Sequence, residues 1–154
     1  MMNTPIKYPH IKAPALKLQL RELFSGVYLQ DLMQWKTIPL PEKIKPKTVL
    51  IIPGFGGGDM SVLPLKKFLR THSHKSYSWG LGINHSQIDK LINPLFNRIK
   101  DLCDKHGEPV SLIGWSLGGI FARELVREQP KYISSVLTMG SPVIVGPKAT
   151  ALKN

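Results

Sequence analysis

The chain has 154 residues and a formal net charge of +11, because 21 Lys and Arg stand against 10 Asp and Glu. Its length suffices for one buried core but falls below the roughly 200–250 residues of the larger α/β domains. The basic residues are spread along the chain without a nucleic-acid motif, which is typical of a solvated surface, so we expect no nucleic-acid partner.

Residues 14–35 are predicted to form the first helix, because their apolar side chains recur at helical spacing. We expect this helix to pack against the rest of the protein. Anchoring at a membrane surface is the alternative, and no feature of the sequence supports it. Residues 39–46 are a linker, so the sequence divides into 1–46, a helix with its linker, and 47–154, the core.

The N-terminus has neither the charged start nor the continuous apolar stretch of a secretory signal, and prolines interrupt it. No run of 18 apolar residues predicts a transmembrane span. We therefore expect a cytoplasmic protein. Cys103 is the single cysteine and permits no internal disulfide, and the five histidines form no metal-ligand cluster, so no metal or other cofactor is expected.

Residues 48–52 form an apolar, β-branched run that predicts a buried strand. A glycine loop of sequence Pro-Gly-Phe-Gly-Gly-Gly follows at 53–58, where main-chain N–H groups can approach a ligand, and the N–H of Phe55 is the candidate donor. A phosphate-binding loop would need Lys and Ser or Thr after its last glycine, where this chain has Asp59 and Met60. A dinucleotide site would need a third glycine at another spacing.

The core continues as an alternation of helices and strands. The predicted elements are helix 61–71, strand 76–83, helix 86–106, strand 109–115, helix 117–129 and strand 133–141. Such alternation implies a parallel sheet with right-handed crossovers. The predicted fold class is therefore α/β, with a mostly parallel sheet of about four strands, flanking helices and a preceding N-terminal helix.

Ser116 lies in the sequence Gly114-Trp115-Ser116-Leu117-Gly118, between a predicted strand and a predicted helix. This spacing is typical of a nucleophile elbow, a sharp turn that exposes the serine hydroxyl. The turn strains the serine backbone and leaves no room for side chains two residues away, where this chain has glycine. Leu117 N–H, at the start of the helix, is the candidate donor to a developing oxyanion. A tight turn with a capping serine is the alternative.

These motifs resemble the α/β-hydrolase fold and, within it, the esterase and lipase branch. The resemblance covers roughly residues 47–142 and includes the Gly-Ser-Pro at 140–142. It implies that Ser116 is the nucleophile, that Phe55 and Leu117 donate to the oxyanion, and that the substrate is a small ester or a lipid.

The sequence departs from that family after Ser116, because no Asp and no His follows it, whereas the family order is Ser, then Asp or Glu, then His. Glu124 and Glu128 lie inside the next helix and are interpreted as solvated. His85 could reach the same rim of the sheet, although capping preferences favour a residue at a helix start.

We therefore expect a serine hydrolase that is incomplete or inactive as an isolated chain, resembling the N-terminal part of a hydrolase truncated at its C-terminus. Two alternatives remain: a hydrolase-fold binding protein that has lost catalysis, and a half-enzyme completed by a partner chain that carries Asp and His. The last strand is expected to present an apolar edge, which would favour self-association or such a partner.

Overall fold

A computed structural model of the chain describes residues 45–142. The predicted helix at 14–35, nearly all of the linker and residues 143–154 lie outside this range. The described elements, in chain order, are β1 (Thr48–Ile52), α1 (Leu63–Thr71), β2 (Lys75–Ser78), α2 (Ile88–His106), β3 (Val110–Trp115), α3 (Leu117–Glu128), a short 3-10 turn (Pro130–Tyr132) and β4 (Ile133–Met139).

The four strands form one sheet in the order β2-β1-β3-β4, and every neighbouring pair is parallel. Every residue of β1 is buried, as its unbroken apolar sequence predicts for a central parallel strand. The predicted α/β class with about four parallel strands and flanking helices is confirmed. In such a sheet the carboxyl ends of all strands meet along one edge, which is where ligands bind.

Helices cover both faces of the sheet. On one face α2 and α3 enclose the larger core, in which Trp79 and Phe121 meet edge to face with ring centroids 6.4 Å apart. On the other face α1 covers a smaller cluster that includes Ile51 and Ile113. The turn between β3 and α3 adjoins this larger core, to which Leu117 belongs.

The sequence predicted that the second strand ends at residue 83, but β2 ends at Ser78. Gly80 and Gly82 adopt positive φ angles of 76° and 79°, which break the extended backbone, and the Trp79 indole donates to the Gly82 carbonyl. Residues 79–87 are therefore a loop, and α2 begins two residues later than predicted. The last strand ends at Met139, before Gly140 at a φ of 60°.

Strand β4 pairs on one side only among the described residues. Its Leu137 side chain is 56% exposed, although it pairs with the buried Ile113 of β3. This part of the chain therefore presents an apolar sheet edge. None of the described helices is long and apolar enough to cross a membrane.

Candidate active site

Ser116 lies between the last residue of β3 and the first residue of α3, with φ of 50° and ψ of −115°. Positive φ at a residue with a Cβ costs about 1–3 kcal/mol and persists only where the surroundings impose it. The backbone expected of a nucleophile elbow is therefore present.

Two glycines make the turn possible. A Cβ at Gly114 would lie 2.4 Å from the Gly118 carbonyl oxygen, and one at Gly118 would lie 2.2 Å from the Ile52 carbonyl oxygen. Both distances are shorter than atoms tolerate, so no side chain fits at either place. The first turn of α3 consequently rests directly on the ends of β1 and β3.

Three hydrogen bonds hold the Ser116 backbone in place. Its N–H donates to the Met139 carbonyl at 2.7 Å, and its carbonyl accepts from the Gly119 N–H at 3.0 Å. The Ser141 hydroxyl donates to that same carbonyl at 2.7 Å. The Ser116 hydroxyl takes no part in these three bonds and donates to no described residue.

The glycine loop after β1 lies next to Ser116, since a Cβ at Gly54 would lie 4.0 Å from Ser116 Oγ. Among residues 45–142, neither the Phe55 N–H nor the Leu117 N–H donates a hydrogen bond. Leu117 is the first residue of α3, so its amide lies at the positive end of a helix dipole. The two predicted donors therefore belong to the two segments that meet at Ser116.

Asn84, which the sequence did not identify as a site residue, is fully buried and bonds to this loop. Its carbonyl accepts from Gly56 N–H and its N–H donates to the Gly57 carbonyl, both at 2.8 Å. Its side-chain amide donates to the Pro53 carbonyl at 2.9 Å. A local signal for this contact is lacking in the sequence, because the partners are about thirty residues apart.

None of the described histidines is hydrogen-bonded to Ser116. His85 is exposed and bonds to no described residue, and α2 begins three residues later with Gln87 as its cap. The other three bond elsewhere: His72 to the Phe68 carbonyl, His74 to the Lys47 N–H and His106 to the Tyr77 hydroxyl. Glu124 pairs with Arg127 on the outside of α3, as predicted for a solvated residue.

The pKa shifts lie away from the turn. Burial, followed by the charges of Lys75 and Lys105, lowers the pKa of His106. Burial raises the pKa of the Cys103 thiol. In the described range no group of three or more His, Cys, Asp and Glu side chains is arranged to hold a metal ion.

Exposed apolar side chains lie at the same edge of the sheet as Ser116. Phe55 is 43% exposed and Trp115 is 47% exposed. Ile83, in the loop after β2, and Met139, at the end of β4, are exposed as well. Since these residues follow or end the four strands, the carboxyl edge of the sheet is apolar around a polar hydroxyl.

No protein-family model matches the chain, and no curated protein matches its sequence. Solved structures do match. The mature Bacillus licheniformis lipase BlEst2 matches with a TM-score of 0.54 and 15% identity, covering 68% of this chain and 45% of the lipase. A variant of PytH matches with a TM-score of 0.55 and 13% identity, covering 71% of this chain and 47% of that protein.

The chain thus spans a little under half the length of these two proteins. At 15% and 13% identity, these matches show a similarity of fold alone. With its strand order and the strained turn between β3 and α3, the chain carries part of the α/β-hydrolase fold.

Proposed function

We propose that this chain is a serine hydrolase acting on carboxylic esters, with Ser116 as its nucleophile. The observation that carries the proposal is the strained Ser116 backbone, fixed by three hydrogen bonds while its hydroxyl stays free of described partners. Strain of this kind is concentrated at functional sites, and a merely structural turn at this place could use glycine.

The proposed reaction is acyl transfer to water. A base takes the Ser116 proton, Oγ attacks the ester carbonyl, and the oxyanion accepts hydrogen bonds from Phe55 N–H and Leu117 N–H. Collapse of the intermediate breaks the bond to the alcohol, which leaves with a proton. Water then attacks the acyl-serine and releases the acid and the free hydroxyl.

The base and its acid partner come from outside residues 45–142 in this proposal, since the described histidines bond elsewhere or lie exposed. Loss of triad residues leaves roughly 10³–10⁴-fold catalysis over water from binding and oxyanion stabilisation. We therefore propose that residues 45–142 alone are close to inactive.

The exposed Phe55 and Trp115 beside Ser116 favour an ester or lipid substrate with an apolar acyl or alcohol group. We further propose a cytoplasmic location and no nucleic-acid partner, as the sequence predicts. Contact with a membrane surface has no supporting observation in the described residues.

Chemical rescue tests this function. The chain is incubated with p-nitrophenyl butyrate, with and without imidazole, beside Ser116→Ala and the matched surface variant Ser134→Ala. Imidazole can replace a missing base, so it should raise the rate above the buffer reaction for the chain and for Ser134→Ala. Equal rates for the chain and Ser116→Ala, at every imidazole concentration, would contradict the proposal.

A half-enzyme completed by a partner chain is a second candidate, favoured by the exposed Leu137 on the edge strand β4. Such a partner would pair with β4 and supply Asp and His. It would raise ester hydrolysis by this chain without imidazole, and Ser116→Ala would abolish that increase.

A further inference from the structure

We propose that Asn84 is the positioning residue of the oxyanion site, holding the Phe55 amide toward Ser116 without touching the substrate. The inference rests on the proposed function and deepens it. It starts from the observation that three hydrogen bonds from one fully buried residue reach the loop on both sides of Phe55.

The three hydrogen bonds between Asn84 and the glycine loop hold the loop on both sides of Phe55, and we refer to them as the bracket. On the amino side of Phe55, the Asn84 side-chain amide donates to the Pro53 carbonyl. On the carboxyl side, the Asn84 main chain bonds to Gly56 and Gly57. The Phe55 N–H lies between these fixed points and donates to no described residue, so the bracket restrains the peptide while leaving its donor free.

Asn suits this position because its side chain carries both a donor and an acceptor. Nδ2 donates to Pro53, while Oδ1 accepts from the Ser86 N–H at 3.1 Å. Asp has nearly the same shape but no donor when ionised, and would face the Pro53 carbonyl with a buried charge. Ala would leave the Pro53 carbonyl and the Ser86 N–H without their partner.

A mobile oxyanion donor lowers the reaction rate, because such a donor is effective only when it is held in position before the reaction. Removing one oxyanion donor costs roughly 10²–10³ in rate, and a displacement of about 1 Å at a reacting group can cost roughly 10². Within the loop the Gly57 N–H donates to the Gly54 carbonyl at 3.1 Å, while the glycines at 54 and 56–58 add no side-chain restraint. The bonds of Asn84 tie this turn to the loop after β2.

The test compares Asn84→Ala and Asn84→Asp with Ser76→Ala in the full chain. Ser76 is an equally buried residue of β2 whose hydroxyl donates to the Lys66 carbonyl, so its variant also loses one buried hydrogen bond. Two quantities are measured: the second-order rate of labelling by a fluorophosphonate in imidazole buffer, which replaces the missing base, and amide hydrogen exchange of residues 53–58 relative to residues 110–115.

We expect both Asn84 variants to be labelled at least about tenfold more slowly than the chain, with exchange accelerated at 53–58 and not at 110–115. Ser76→Ala should be labelled at the rate of the chain. Should Asn84→Ala fail to fold, the comparison uses Asn84→Asp. Unchanged labelling and exchange in a folded Asn84 variant would overturn the proposal.

If the unaltered chain is not labelled at all, the proposed nucleophile fails, and hydrogen exchange then decides the role of Asn84 separately. Selective acceleration at residues 53–58 in the Asn84 variants would still support the bracket. Equal exchange in these variants and Ser76→Ala would overturn it.

Discussion

The Ser141 hydroxyl donates a 2.7 Å hydrogen bond to the Ser116 carbonyl, from the segment that follows β4. A Cβ at Gly119 would lie 1.9 Å from Ser141 Oγ, so the hydroxyl fills the space that the glycine leaves open. Arg123 of α3 also donates to the Pro142 carbonyl at 2.6 Å. These hydrogen bonds hold the segment after β4 against α3 and against the turn that contains Ser116.

Ser141→Ala should loosen that turn. The Ser116 carbonyl keeps the Gly119 N–H but loses its second donor, so we expect the free energy of unfolding to fall by about 1 kcal/mol and fluorophosphonate labelling to slow several-fold. Urea unfolding and labelling kinetics measure the two effects. Ser134→Ala, which removes a hydroxyl of β4 that is bonded to Ser111 of β3, should leave labelling unchanged; equal slowing in both variants would contradict this.

Gly118→Ala should be far more damaging than Gly107→Ala. A Cβ at Gly118 meets the carbonyls of Ile52 and Pro53 at 2.2 and 2.8 Å, and backbone of a central strand cannot move aside. We expect a loss of about 3 kcal/mol or more, or no folding. Gly107 ends α2 at a φ of 67° with open space around it, so its variant should lose only about 1 kcal/mol. Similar midpoints in urea for the two variants would count against the close contact.

Stability should fall in acid through Glu108. The Thr48 hydroxyl donates to its carboxylate at 2.6 Å, and this bond, which outweighs the effect of burial, holds the pKa of Glu108 below its ordinary value. Because the folded pKa is the lower one, the contribution is complete above the unfolded value of about 4.3. It is lost as the pH falls through the folded pKa.

Urea unfolding at pH values from about 6 down to about 3, the range in which carboxylates titrate, measures this loss of unfolding free energy. Glu108→Gln should show a shallower fall in the free energy of unfolding than the chain, and so should Thr48→Val, which removes the donor. An identical pH dependence in all three proteins would show that the bond contributes nothing.

The exposed edge of β4 should promote self-association. Leu137→Arg places a charge on an edge strand, which opposes pairing with another chain. We expect the weight-average mass from light scattering at high protein concentration to fall toward that of a monomer. Met60→Arg is the matched control, since Met60 is 77% exposed and lies off the sheet. No difference between the two variants would place the association elsewhere.

The sequence predicted the parts of the fold whose causes are local. The apolar run at 48–52 and the glycines at 114 and 118 depend on neighbouring residues, and both features are present as predicted. The second strand was predicted too long, because Trp79, Leu81 and Ile83 alternate like a strand while Gly80 and Gly82 turn the backbone. Alternation outweighed the glycines in that prediction.

Local sequence patterns could not predict the residues that hold the site in place. Asn84 is 31 residues from Pro53, and Ser141 is 25 residues from Ser116, so only the folded sheet brings these partners together. The roles of Ser116, Phe55 and Leu117 remain predictions. Their placement follows from the turn and the glycine loop, whereas reactivity depends on a base, and no described histidine is hydrogen-bonded to Ser116.

The most direct measurement is the intact mass of the folded chain after exposure to a fluorophosphonate in imidazole buffer, which replaces the base that the proposal places outside residues 45–142, with Ser116→Ala treated in parallel. The probe reacts with an activated serine rather than with any exposed hydroxyl. We predict a single adduct on the chain, located to Ser116 by peptide mapping, and none on Ser116→Ala. No adduct on a protein shown to be folded, or the same adduct on Ser116→Ala, would contradict the assignment of Ser116 as the nucleophile.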